Sequence, residues 1–147
     1  MSLKTTTVTI NKGRDGGKTF KLTEWSAIQT ERWILRAVFG LGKAGVEIPP
    51  EILQLGAAAT VYAIASQATK IPSRLGLRLA DELMECVKRV EAAGGERKLV
   101  DMDIEDVSTR LQLKGEVLKL HFGFFVFAAS PSSAAAPAES GKHSSKQ

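Results

Sequence analysis

Apolar side chains recur at Leu75, Leu79, Leu83, Val87 and Val90, while Arg78, Asp81, Glu82, Glu85, Lys88 and Arg89 take positions between them. A four-residue recurrence predicts an amphipathic helix with one buried stripe. Leu77, Ala80 and Met84 broaden the stripe, Ser73 can cap it after a turn containing Pro72, and Ala93-Gly94-Gly95 ends it. A second helix is expected to begin at Glu24 with Thr23 as its cap. Trp25, Ile28, Leu35 and Phe39 mark its main face, with Arg32 inside that seam laying its stem on apolar surface and its guanidinium outward; Ile34, Val38 and Leu41 widen the face, and Trp33, Ala37 and Leu41 form a second side. Gly40, Gly42, Gly45 and Pro49-Pro50 then reset the chain direction. A third helix is expected from near Glu51 to about Gln67, with Ile52, Leu55, Ala59 and Tyr62 on one face. Its alanines, Ala57, Ala58, Ala63 and Ala65, permit close approach of a neighbour.

After a loop over 96–102, Asp103 to Asp106 (DIED) reads as an acidic capping box opening a short helix marked by Ile104, Val107 and Leu111. Lys114 to Phe127 (KGEVLKLHFGFFVF) continues as helix, with Val117, Leu118, His121, Phe122 and Phe125 on its inner face. A terminal strand over 124–127 is the alternative. The N-terminus has a different period. Thr5 to Ile10 alternates weakly, Asn11 to Gly17 carries Asp15-Gly16 and Gly16-Gly17, and Thr19 to Leu22 puts Phe20 and Leu22 on one side. This is a hairpin pattern. A hairpin alone is marginal, so it should rest on the helices or pair with another chain's edge; an exposed arm is the competing reading. The expected fold is mainly α (α+β): a β-hairpin or arm over 1–22, a compact bundle of four to five helices over 23–128, and a disordered Ser/Ala/Pro tail over 129–147.

Composition narrows the class. The 147 residues suit one domain, and 44% hydrophobic with 24% charged content is ordinary for a globular protein. Cys86 is the single cysteine, so there is no internal disulfide or cysteine-rich metal site, and a cytosolic protein is expected. The longest weakly polar stretch, Ile52 to Ala65, is too short to span a bilayer, so no membrane partner is expected. The formal charge of +4 concentrates in the first 22 residues, where Lys4, Lys12, Arg14, Lys18 and Lys21 face Asp15 alone. A nucleic-acid surface needs a denser basic stripe with aromatics or a reading helix beside it, and none is expected.

Candidate chemistry is sparse. His121 has no acidic partner at helical spacing and reads as a hydrogen-bonded helix histidine; Cys86 reads as a small apolar residue. The two together are the minimum parts of a thiol nucleophile and base, but nothing in the sequence brings them together. Asp101, Asp103, Glu105 and Asp106 imitate the start of a calcium loop, yet Asp106 stands where that loop requires glycine. Gly16-Gly17-Lys18-Thr19 imitates the end of a phosphate loop, yet Lys12 stands where its first glycine belongs. No catalytic residue, cofactor or metal site is assigned. The aromatic residues carry the stronger signal: four of six phenylalanines are Phe122, Phe124, Phe125 and Phe127. With Trp25, Trp33 and Phe39 they are the candidates for a partner-binding surface, and the tryptophans could equally belong to the core.

Phe20 to Ala37 (F-x-L-T-E-W-S-A-I-Q-T-E-R-W-I-L-R-A) resembles the N-terminal signature of tail assembly chaperones from tailed bacteriophages, through Thr23-Glu24, Ala27, Gln29, Glu31, Arg32 and Trp33. Glu105 to Phe125 (E-D-V-x-T-R-L-x-L-K-G-E-V-L-K-L-H-F-G-F-F) is similar to that family's C-terminal block. The resemblance implies a non-catalytic factor of the bacterial host cytoplasm. Such a factor binds the tape measure protein, keeps it soluble until the tail tube polymerises, and is absent from the mature virion. It also implies contact with the tail tube protein through a frameshifted longer form in some members, and a homo-oligomer is a further expectation. A structural tail or head-tail component retained in the virion is the alternative.

Overall fold

The computed structural model describes residues 2–123. Strands β1 (Thr5–Thr9) and β2 (Thr19–Thr23) pair antiparallel, with Thr5 opposite Thr23 and Val8 opposite Phe20. The alternation does its work here: Phe20 and Leu22 are fully buried beneath the sheet, while Lys21 points to the other face. The hairpin pairs within its own chain. Strand β3 (Val87–Val90) lies against β2, and β4 (Glu96–Lys98) against β3, completing a four-stranded antiparallel sheet in the order β1-β2-β3-β4. On its outward face the register sets Lys21, Lys88 and Lys98 directly side by side.

That sheet corrects the helix expected over 75–90. Helix α4 (Ser73–Leu83) stops, a 3-10 turn over Met84–Cys86 redirects the chain, and Val87 to Val90 form strand. Val87 is still buried, but it faces Leu22 across β2 and β3 instead of continuing a helical stripe. Ala93-Gly94-Gly95 is accordingly the turn of a second hairpin, closed by the Glu91 N–H donating to the Gly95 carbonyl at 2.8 Å. The expected loop over 96–102 supplies β4 and the beginning of a 3-10 turn, Asp101–Asp103.

The remaining helices are α1 (Ala27–Lys43), α2 (Pro50–Gln54), α3 (Ala57–Ser66) and α5 (Val107–Phe122). Ser26, not Thr23, caps α1: its Oγ accepts from the Gln29 N–H, and Gln29 returns a carboxamide oxygen to the Ser26 N–H. Thr23 is the last residue of β2. The expected helix over 51–67 is broken into α2 and α3 at Gly56, whose φ of 113° favours glycine. Asp106 precedes α5, and Asp103 sits in the 3-10 turn and not at a helix start. Phe124, Phe125, Phe127 and the segment 129–147 lie outside the described residues.

The face that α1 buries is the second of the two sides expected, not the main one. Trp33, Ala37, Gly40 and Leu41 are buried, whereas Ile28 and Phe39 are 62% and 64% exposed. Packing against α4 decides this. The Trp33 indole N–H donates to the Leu79 carbonyl at 3.0 Å, the Arg36 guanidinium bonds the Glu82 carboxylate, and a Cβ on Gly40 would run into the Leu75 side chain. On α3 the buried face is Thr60, Val61 and Ile64, and Leu55 in the α2–α3 break is exposed. Leu113 and Val117 of α5 close the core from the other side.

A polar latch fixes where α5 begins. Asp15, fully buried in the β1–β2 loop, accepts from the backbone N–H groups of Glu105 and Asp106 and from the Lys18 ammonium, all at 2.9 Å. Burial pushes its carboxyl up, but those bonds outweigh it and hold the group well below the usual carboxylate range. Asp106 in turn accepts from the Arg14 N–H and guanidinium. Gly13 allows that approach, since a Cβ there would lie 2.6 Å from the Asp106 carboxylate.

Candidate partner-binding site

With its start latched to the hairpin loop, α5 delivers His121 and Phe122 to the entry of α1. His121 donates from Nδ1 to the Val117 carbonyl at 2.8 Å, and its Nε2 accepts the Trp25 backbone N–H at 2.9 Å. The rings interlock: Trp25 lies 4.9 Å from His121 and 6.0 Å from Trp33, and Trp33 lies 6.4 Å from Phe122. Of these rings, Trp25 and His121 line an open pocket of about 580 Å³ between the N-terminal strand lead-in, α1 and the α2–α3 break. Its apolar wall comes from Leu3, Ile34, Leu35, Leu53 and Ala57. Ile28 and Phe39 share the Leu35 stripe of α1, because spacings of seven and four residues return to one helical face. They extend the apolar surface beyond the pocket, with the exposed Arg32, four residues after Ile28, on the same stripe.

The polar groups lining the pocket are largely spent internally. The Thr30 hydroxyl donates to the Ser26 carbonyl and the Thr60 hydroxyl to the Gly56 carbonyl, each at 2.9 Å. Ser26 serves the α1 cap, and both His121 nitrogens are engaged. Two carboxylates remain at the rim. Glu24 accepts the Lys4 backbone N–H, while Glu31 has no hydrogen bond or ion pair among the described residues.

The aromatic candidates separate into distinct places. Trp25 is half-buried in the pocket wall, Phe39 stands exposed on α1, and Trp33 and Phe122 are core residues that support the pocket from beneath. Phe124, Phe125 and Phe127 lie outside the described residues. Sequence reasoning did not assign Leu53, Gly56, Ala57 or Glu31 to a site. The available signal was the glycine at 56 interrupting an apolar helix beside the Ile28–Leu35 stripe.

The groups tested for chemistry are otherwise engaged. Cys86 is buried, and burial together with Glu85 pushes its thiol up to about 12, which suppresses the thiolate. Lys18 of the Gly16-Gly17-Lys18-Thr19 segment is tied to Asp15 and the Asp103 carbonyl, and Thr19 opens a strand where a phosphate loop would open a helix. Asp103 accepts from both terminal guanidinium nitrogens of Arg97 at 2.9 and 2.7 Å; that pairing, against the opposing effect of burial, holds its carboxyl down to about 2. Among the described residues no group of three or more His, Cys, Asp or Glu is placed to hold a metal ion. No described helix is long and apolar enough to cross a membrane. No protein-family model, curated protein or solved structure matches the chain.

Proposed function

We propose that the protein is a non-catalytic binding protein that receives an amphipathic helix of its partner, acting as a tail assembly chaperone of a tailed bacteriophage. The observation that carries this reading is the apolar stripe of α1, with Ile28 62% and Phe39 64% exposed, running beside an open apolar pocket. Helix-in-groove recognition uses such anchors at helical spacing. The resemblance of residues 20–37 and 105–125 to that chaperone family names the partner as the tape measure protein, whose long helical chain exposes apolar stripes before the tube encloses it.

Binding would remove water-exposed apolar area on both chains. About 600 Å² buried in total contributes roughly 15 kcal/mol gross, most of it cancelled by association and ordering costs. Net affinity is then moderate, as a factor that must leave requires, and release needs no nucleotide. The work is done in the bacterial host cytoplasm, and the protein leaves before the virion matures. Co-expression with the tape measure protein of the same genome is expected to yield a soluble complex on size exclusion. Leu35→Ser with Phe39→Ser is expected to abolish that complex while circular dichroism stays unchanged. A tape measure protein equally aggregated with and without this chain would refute the reading. Mass spectrometry of purified virions checks departure, since a retained tail component recurs at fixed copy number.

A further inference from the structure

The two outer strands of the sheet are finished differently. Between β1 and β2 the Ile10 N–H donates to the Lys18 carbonyl and the Glu24 N–H to the Lys4 carbonyl. Bonded and non-bonded pairs alternate along an antiparallel ladder, so Lys4, Thr6, Val8 and Ile10 bond across to β2. Thr5, Thr7 and Thr9 therefore turn both N–H and C=O to the outside. Among the described residues nothing bonds those outward groups, and all three threonines are exposed. β1 also carries no proline, charge or bulge to discourage pairing. At the opposite margin β4 is only Glu96-Arg97-Lys98, every residue charged, and the Arg97 guanidinium donates to the Lys98 carbonyl at 3.1 Å. The Glu91 to Gly95 bond sets that carbonyl on the outer side of β4 by the same alternation. One edge is defended and the other is open.

We propose that the open edge pairs with β1 of a second copy of this chain, antiparallel about a two-fold axis at Thr7, joining the two four-stranded sheets into one. The outward groups fix the register: Thr7 faces the second copy's Thr7 and Thr5 faces its Thr9, exchanging about six backbone bonds in all. Thr6 then lies opposite Val8, a β-branched pair on the half-buried side of each strand. Charge permits the pairing. Lys4 falls opposite Ile10, and the two Lys21 side chains stand three strand spacings apart, about 14 Å, beyond the screening length of physiological salt. A second copy is favoured over a foreign strand because the strand is complementary to itself and the pairing closes. Only the two charged β4 margins are left at the ends, so the sheet stops growing. The interface is small beside the roughly 1,200 Å² of stable complexes, which makes the dimer concentration-dependent. None of this depends on the helix-binding reading above.

Sedimentation equilibrium of the full-length chain from about 10 μM to about 1 mM tests this, with amide hydrogen exchange read at both ends of the range. A monomer–dimer equilibrium is expected. The Thr5, Thr7 and Thr9 amides should gain about tenfold protection at the higher concentration, while Thr6 and Val8, already bonded to β2, should change little. Paired substitutions at exposed positions then test the register. Thr5→Glu with Thr9→Glu opposes like charges at two places and should weaken dimerisation about fivefold, whereas Thr5→Glu with Thr9→Lys opposes unlike charges there and should strengthen it about threefold. Circular dichroism checks that both variants fold; if the first did not, the second and the exchange pattern would still decide. A chain that stays monomeric across the range, a dimer indifferent to both variants, or one weakened by both alike would overturn the proposal. A monomer whose Thr5, Thr7 and Thr9 amides lose protection on deletion of residues 124–147 would assign the edge to the chain's own C-terminal segment and overturn it as well.

Discussion

Asp15 joins two separate pieces of the chain: its own loop, where it holds the Lys18 ammonium, and the N–H groups preceding α5. Removing a buried acceptor costs more than the bonds it made, because the donors left behind stay dry and unpaired. Asp15→Ala is expected to destabilise the protein by about 2–4 kcal/mol in urea denaturation. His121 gives a pH-dependent counterpart. Burial lowers its pKa, against the Val117 bond and the Glu24 charge that raise it, while Lys4 adds to the lowering. The folded state thus binds this proton less readily than the unfolded chain. Its contribution is complete above about pH 6.5 and is lost as pH falls through the lowered folded value. Protonation also removes the Nε2 lone pair that accepts the Trp25 N–H. His121→Gln is expected to flatten the stability profile just below pH 6.5, measured as urea midpoints across a pH series.

At the scale of elements, α1 sets a buried side against an exposed apolar side, and substitutions should divide accordingly. Trp33→Ala removes a core ring and the donor to Leu79, and about 3–5 kcal/mol of stability is expected to go with it. Phe39→Ser, at a side chain 64% exposed, should change stability by less than about 0.5 kcal/mol. On the sheet, Lys88 stands between Lys21 and Lys98, and like charges directly opposite oppose pairing. Lys88→Thr is expected to raise stability by about 0.5 kcal/mol, a gain that shrinks in high salt. The first hairpin was legible because alternation and the Asp-Gly-Gly loop point the same way. The second was not, since Leu75, Leu79, Leu83 and Val87 keep helical spacing across the point where the 3-10 turn intervenes. Val87 satisfies either reading by being buried. The orientation of α1 was equally hidden, because apolar residues lie on both of its sides and the packing of α3 and α4 decides which is covered. The pocket was illegible for another reason: Leu3, Leu35, Leu53 and His121 are distant in sequence and meet only through the tertiary arrangement.

For the molecule as a whole, the central seam of the sheet is the pairing of β2 with β3, residues 19–23 with residues 87–90. All of α1 to α4 lies between them in the chain. Contacts so far apart carry the loop-closure entropy before any reward, so this seam should form late in folding. A fragment of residues 1–86 is expected to keep helical far-ultraviolet dichroism but to lack the near-ultraviolet signal of packed tryptophans. During synthesis the order is fixed by the direction of translation. Phe20 and Leu22 leave the ribosome long before Val87 does, and until then β2 has an open edge and an uncovered apolar face. The nascent chain is therefore most prone to strand-to-strand aggregation in the interval before residue 87 emerges, and a translational pause there would lengthen its exposure.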